Sequence, residues 1–369
     1  MTRLLFAVGV LSLFACTGTS TDSGDANCDG VVEVEQVSLR SDADGVLTVP
    51  VAVDANDDAF MVMVARDGGL VSADTVVDAE GDVRLSWEDW LSGRDSLTNA
   101  FYASSEVTSL NWPIRAEDAP LGAGEWTVYA STLDADGYPK ARQDATVTVV
   151  RRSCVAGTPT LKVTVVYAQG LDEDREVATA VEAAVLRWAQ IYGAYGLELD
   201  VSYASSDLAT SVSEPLPGGD EYGPLYEDIG EGVVVVVADD VDGYADLYGE
   251  AGGIPGPYVA SGHSAVAVSW LVHAGTDAAF TDDEVLVFGE TMAHEVGHYL
   301  GLFHPVEMDW SLWDALSDTK RCTSESACEA ALGDNLMFPY PVCGERSCTE
   351  QTVLSDDQSG VLGLNVGFR

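Results

Sequence analysis

The segment His294-Glu295-Val296-Gly297-His298-Tyr299-Leu300-Gly301-Leu302-Phe303-His304 constrains this chain more than any other. On an α-helix, residues four apart lie on one face, so His294 and His298 can reach a single ion. Gly301 tolerates the positive φ that lets a chain leave a helix sharply. That turn brings His304 in as a third ligand. Imidazole suits zinc, at about 2.0–2.1 Å from the metal, and three protein ligands leave one position open for water. Such an arrangement belongs to a catalytic metal. Glu295 sits beside the first ligand and can act on a water without ligating. The bland alternative is a helix with chance histidines, but the pattern fixes five positions at once, and it takes three of the five histidines in the chain. His263 and His273 lack this spacing and read as ordinary polar residues near a loop.

The segments before this motif alternate between strands and helices. Leu161 to Ala168 and Leu197 to Tyr203 read as strands, and Gly232 to Ala238 is a continuous apolar run of the kind found in a strand covered on both faces. Ser264 to Trp270 is a further strand. Asp172 to Tyr192 has helical spacing, with Val177, Val181, Val185, Trp188 and Tyr192 three or four apart. A second helix is expected from Asp283 to Leu300. The order implies an α+β domain over residues 155–369, a mixed twisted sheet with two main helices.

Residues 28–152 read differently. Short runs such as Val46 to Val53, Phe60 to Ala65, Val83 to Ser86, Trp126 to Ser131 and Thr146 to Val150 are separated by Asp/Gly turns, which predicts an all-β, sandwich-like domain. No histidine and no chemical constellation falls there. The region is either an accessory domain or a propeptide. Composition changes around Arg151 to Pro159, which marks the linker.

Residues 1–15 have the layout of a secretory signal peptide: a basic start, then an apolar run from Leu4 to Ala15 too short to span a bilayer as a helix. The run ends on Ala15-Cys16, which resembles the bacterial lipobox and implies a lipidated Cys16, with residues 16–27 as a polar tether. An exported cell-envelope protein is therefore expected, in contact with the membrane only through this anchor. Six further cysteines suit three disulfides. Cys28 and Cys154 bracket the β-rich region and are expected to pair. Cys322, Cys328, Cys343 and Cys348 allow three pairings that spacing does not resolve. The formal net charge of -44, from 61 acidic and 17 basic residues, disfavours nucleic acid and anionic headgroups as partners. A few acidic loops are candidates for calcium.

The motif is that of the metzincin metallopeptidases, and the chain is similar to that family from about Leu161 onward. The resemblance implies a methionine turn beneath the metal, for which Met337 is placed. It also implies a cleft lined by an edge strand, to which Ser264 to Trp270 corresponds. Within the family the tail looks most like the pappalysin-type group, through Asp318-Thr319 before Cys322, Asn335-Leu336-Met337, and Leu354-Ser355-Asp356-Asp357-Gln358. One departure is Pro339, where many metzincins carry a tyrosine two residues after the methionine; Tyr340 follows it as the candidate for steadying the oxyanion. The implied activity is a zinc endopeptidase acting on a protein or peptide substrate, with His294, His298 and His304 on the metal and Glu295 as base. The alternatives are another zinc amide hydrolase, such as a cell-wall amidase, or an inactive lipid-anchored binding protein.

Overall fold

The computed structural model describes residues 28, 30–88, 95–102, 105–215, 219–275, 279–344 and 347–369. The expected signal peptide, Cys16 and the tether to residue 27 lie outside the described residues.

The N-terminal part is built from β1 (Val32–Arg40), β2 (Val46–Val53), β3 (Asp57–Ala65), β4 (Leu70–Val77), β5 (Val83–Ser86), β6 (Asp95–Ser96), β7 (Val107–Trp112), β8 (Gly124–Leu133) and β9 (Asp144–Ser153). Two antiparallel four-stranded sheets, ordered β1-β9-β3-β7 and β2-β8-β4-β5, enclose a common core. In β2 every second residue is buried, since only one face meets that core. In β3 the alternation is lost. Phe60, Val62 and Val64 point into the core between the sheets, whereas Ala59, Met61 and Met63 join a separate cluster with Val366. Both faces of β3 are therefore covered, and the second cover comes from the C-terminal part.

That part continues as β10 (Thr160–Tyr167), α1 (Arg175–Gly193), β11 (Glu198–Ser205), β12 (Ser211–Val212), α2 (Tyr222–Ile229), β13 (Val233–Ala238), β14 (Asp240–Val241), β15 (Gly249–Ala251), β16 (Val266–Ser269), α3 (Trp270–Ala274), α4 (Asp282–Tyr299), β17 (Trp313–Asp314), α5 (Glu325–Leu332) and α6 (Asp356–Leu364). The main sheet runs β11-β10-β13-β16-β15, parallel except for β15. Parallel neighbours need crossovers. The expected helix supplies the crossover from β10 to β11, and α2, absent from the sequence reading, supplies the one from β11 to β13. Val233 to Val237 are fully buried, as their unbroken apolar run foretold. Helices α1 and α4 meet closely at Gly289, where an added Cβ would stand 2.5 Å from the Ala184 carbonyl oxygen.

The molecule is a mixed α and β structure with a β-rich N-terminal part. One assignment changes. Val266–Ser269 lies between β13 and β15, so Ser264 to Trp270 does not hold the edge; β15, three residues containing a glycine, does. His263 and His273 also differ from expectation, because both are buried. The Nε2 of His263 accepts from the Ser105 hydroxyl at 2.6 Å, across the seam between the two parts. His273, in α3, donates from Nδ1 to the Ser269 carbonyl at 2.5 Å and accepts from Thr291 of α4 at 2.9 Å.

The seam is polar as well as apolar. Arg152, 2% exposed, donates to Asp58 and to the carbonyls of Gly363, Asn365 and Phe368. The side chain of Asn111 exchanges hydrogen bonds with Leu364 and Val366, and β6 pairs in parallel with β17. Cys28 pairs with Cys154, as bracketing suggested, and the open question resolves as Cys322–Cys328 and Cys343–Cys348. Three disulfides suit an extracellular or otherwise oxidising environment. Among the described residues, no helix is long and apolar enough to cross a membrane.

Candidate metal centre

The long helix α4 has a clear start and stop. Thr281 accepts from the Glu284 amide while Glu284 accepts from Thr281, and Asp282, Asp283 and Glu284 suit the positive end of the helix dipole. The helix ends at Leu300, and Gly301 takes φ +115°, where a side chain would be strained. Amides of Gly301 and Leu302 return to the carbonyls of His298 and Gly297, both at 2.9 Å. This turn delivers His304.

The three histidines meet as the spacing requires. Nε2 of His304 lies 3.2 Å from that of His294 and 3.1 Å from that of His298. Their other ring nitrogens are all engaged: Nδ1 of His294 faces the Leu336 carbonyl at 2.7 Å, that of His298 the Leu302 carbonyl at 2.6 Å, and that of His304 the Glu307 carboxylate at 2.9 Å. Acceptors on every Nδ1 hold the proton there, so three Nε2 lone pairs point at one another. Lone pairs so placed repel, and a shared cation resolves the conflict. Ligands about 2.0–2.1 Å from a tetrahedral ion stand about 3.3 Å apart, close to the observed spacing. The triad can therefore hold a metal ion. Burial, then the neighbouring His304, pushes His294 down to about 3 and His298 well below its ordinary value. Both stay neutral, the form that ligates. No second group of three His, Cys, Asp or Glu side chains gathers this tightly among the described residues.

Glu295 is 8% exposed and faces the same cleft, of about 530 Å³, as the triad. Burial, then the Glu250 carboxylate, pushes its pKa up to about 8. A cation on the histidines acts in the opposite direction. Glu250, on β15, has one carboxylate oxygen buried without a hydrogen-bond partner, and burial followed by Glu214 and Asp242 raises it to about 8 as well. The cleft wall also includes β15, Ile254 and Phe338 to Pro341.

Met337 lies directly under the helix. A Cβ on Gly297, the residue before His298, would stand 2.7 Å from its sulfur, so a side chain there would have to push Met337 aside. The Met337 amide donates to Asn335 Oδ1 at 2.9 Å, and Asn335 exchanges side-chain hydrogen bonds with the fully buried Gln358. The Asp357 amide, in the first turn of α6, donates to Asp318 at 2.8 Å. Three short motifs spread over the tail thus form one support beneath the triad. Tyr340 lines the cleft, but its hydroxyl donates to Glu329 at 3.3 Å.

The sequence reading missed Glu307, Glu250 and the edge strand. Only Glu307 left a local trace, an acid three residues after the last ligand.

No family description matches this chain, and no curated protein is detectably similar to it. The functional reading therefore rests on the geometry of the site and its motif.

Proposed function

We propose that this protein is an exported zinc endopeptidase of metzincin type, similar in its tail to the pappalysin group and tethered through a lipidated Cys16. The observation that carries the reading is the convergence of three Nε2 lone pairs beside an acidic side chain that takes no part in their ligation. Met337 beneath the helix and the Asn335–Gln358 pair add support from outside the motif.

Zinc at this position supplies Lewis acidity, which lowers the pKa of a water to about 7 and polarises a scissile carbonyl. Glu295 would act as the general base, taking a proton from a water in the cleft and passing it to the leaving amine. Burial keeps the carboxylate away from competing solvent. The substrate backbone is recognised by β15. Tyr248 and Gly252 bond to β16, with Ser269 N to Tyr248 O at 2.9 Å and Gly252 N to Ala265 O at 3.0 Å. Antiparallel alternation leaves the amide groups of Gly249 and Ala251 facing the open edge, where an extended peptide can add as a further strand. Such binding reads backbone and suits an endopeptidase.

The test is zinc content by mass spectrometry together with cleavage of a peptide library, with and without a chelator, for the wild type and Glu295→Ala. Wild-type cleavage should require metal, and Glu295→Ala should keep zinc while losing turnover. Full activity in Glu295→Ala, or a metal-loaded wild type that cleaves no peptide, would overturn the proposal. Hydrolysis confined to cell-wall peptides would favour an amidase instead.

A further inference from the structure

A second cavity, of about 370 Å³, opens at the seam between the two parts of the chain. Ile254 lines both this cavity and the metal cleft, so the two spaces are neighbours. The path between them is the edge strand. Gly249 passes Glu295, and Gly252 follows three residues later, about 10 Å along at 3.3 Å per residue. At Gly252 and Gly253 the chain bends into the cavity wall. A Cβ on Gly252 would overlap the His263 carbonyl oxygen at 1.8 Å, and Gly253 has φ +158°.

The opposite wall belongs to the N-terminal part, through Tyr102, Val107 and Thr108. It is firmly tied to the wall across from it. Asn99 N donates to Ile254 O at 2.7 Å, the Ser109 hydroxyl to Pro255 O at 2.5 Å, and Ser105 to His263 at 2.6 Å. A cavity held this way is preformed, so a ligand gains contact without the cost of ordering loops. Tyr102 is 52% exposed at the mouth of this cavity.

We infer that the β-rich part supplies a distal substrate subsite, in which Tyr102 and Ile254 receive an apolar or aromatic side chain about three or four residues from the scissile bond. This rests on the peptidase reading for its occupant, an extended polypeptide. That occupant follows from continuity: a strand laid on the edge of β15 and extended past Ala251 enters the cavity. The β-rich part is then a working portion of the enzyme and not a segment discarded on maturation.

The experiment compares two fluorogenic peptides that share a central sequence. One ends two residues either side of the cleaved bond, and the other continues with apolar residues on both sides. In the wild type the longer peptide should have kcat/KM higher by about tenfold or more, and in Tyr102→Ala the ratio of long to short should collapse toward one. A ratio near one in the wild type, or one unchanged by Tyr102→Ala, would overturn the subsite. Binding of both labelled peptides is measured in parallel on Glu295→Ala and on Glu295→Ala/Tyr102→Ala. If the wild type cleaves neither peptide, length-dependent binding that Tyr102→Ala removes still supports the subsite while the peptidase reading falls. Equal binding of both lengths overturns it.

Discussion

Gly249 of the edge strand backs directly onto Glu295: a Cβ there would stand 2.8 Å from Glu295 Cγ and 3.0 Å from the Ala267 carbonyl oxygen. Its pairing with β16 along one edge fixes the strand in place. Gly249→Ala should therefore displace the carboxylate while sparing the histidines. A shift of about 1 Å in a reacting group costs up to about 10²-fold in rate. The expected result is near-normal zinc content with kcat reduced by about tenfold or more, read on one peptide.

Glu307 should matter for metal and not for folding. It accepts from His304 Nδ1 at 2.9 Å, fixing the tautomer and the ring. Loss of such a partner typically weakens metal binding by about 10–100-fold. Competition with a chromophoric chelator should show that weakening in Glu307→Ala, with an unchanged thermal transition for the metal-free protein.

Tyr340→Phe should be close to silent. The hydroxyl is engaged by Glu329, on α5. Removal of a true oxyanion donor costs about 10²-fold or more in kcat. A drop of that size in Tyr340→Phe would mean that the hydroxyl swings toward the metal when substrate binds.

Stability should fall as the solution is acidified below neutrality, and His273 should contribute. Burial lowers its pKa to about 4 from 6.5. The unfolded chain binds the extra proton between these values, so the contribution of this group is present above 6.5 and is lost as pH drops toward 4. Full expression of such a shift amounts to about 3 kcal/mol. Chemical denaturation of the wild type and His273→Gln from pH 7 to pH 4.5 should show a difference that shrinks on acidification.

Arg152 should be among the most sensitive positions in the N-terminal part. It satisfies three carbonyls of the C-terminal segment and the Asp58 carboxylate while 2% exposed. Arg152→Met leaves these carbonyls without their donor and the part-exposed Asp58 without its partner, at a cost of about 1–3 kcal/mol. The denaturation midpoint of both parts should move together, as one transition. Separate transitions would show that the seam is weaker than its contacts suggest.

The metal triad was legible because its geometry is local. Four residues on a helix and one glycine turn decide where His294, His298 and His304 go. The long strands and helices were legible for the same reason, since Val177 to Tyr192 carries helical periodicity and Val233 to Val237 is an unbroken apolar run. The edge strand was not. Gly249–Ala251 has too few residues for a pattern, and its identity depends on partners far away in sequence. The apolar run Ser264 to Trp270 drew that assignment to itself, although an unbroken apolar run is the mark of a strand with cover on both faces. His263 does lie in a turn, but its burial was not legible because its partner, Ser105, is 158 residues away. Disulfide pairing in the tail was likewise beyond spacing, although each pair proved to be the nearest available in sequence.

The outward face of β3 has a consequence for handling the molecule in pieces. Ala59, Met61 and Met63, with Val150 of β9, form an apolar surface that Val32 of β1 covers in part and that Val366, Tyr258 and Val259 cover from the C-terminal part. A fragment ending near residue 155 would present that surface to water on a sheet, and two such fragments would bury it against each other. Soluble expression of the β-rich part alone should yield self-associated species, and a peptide spanning residues 363–369 should compete with that association.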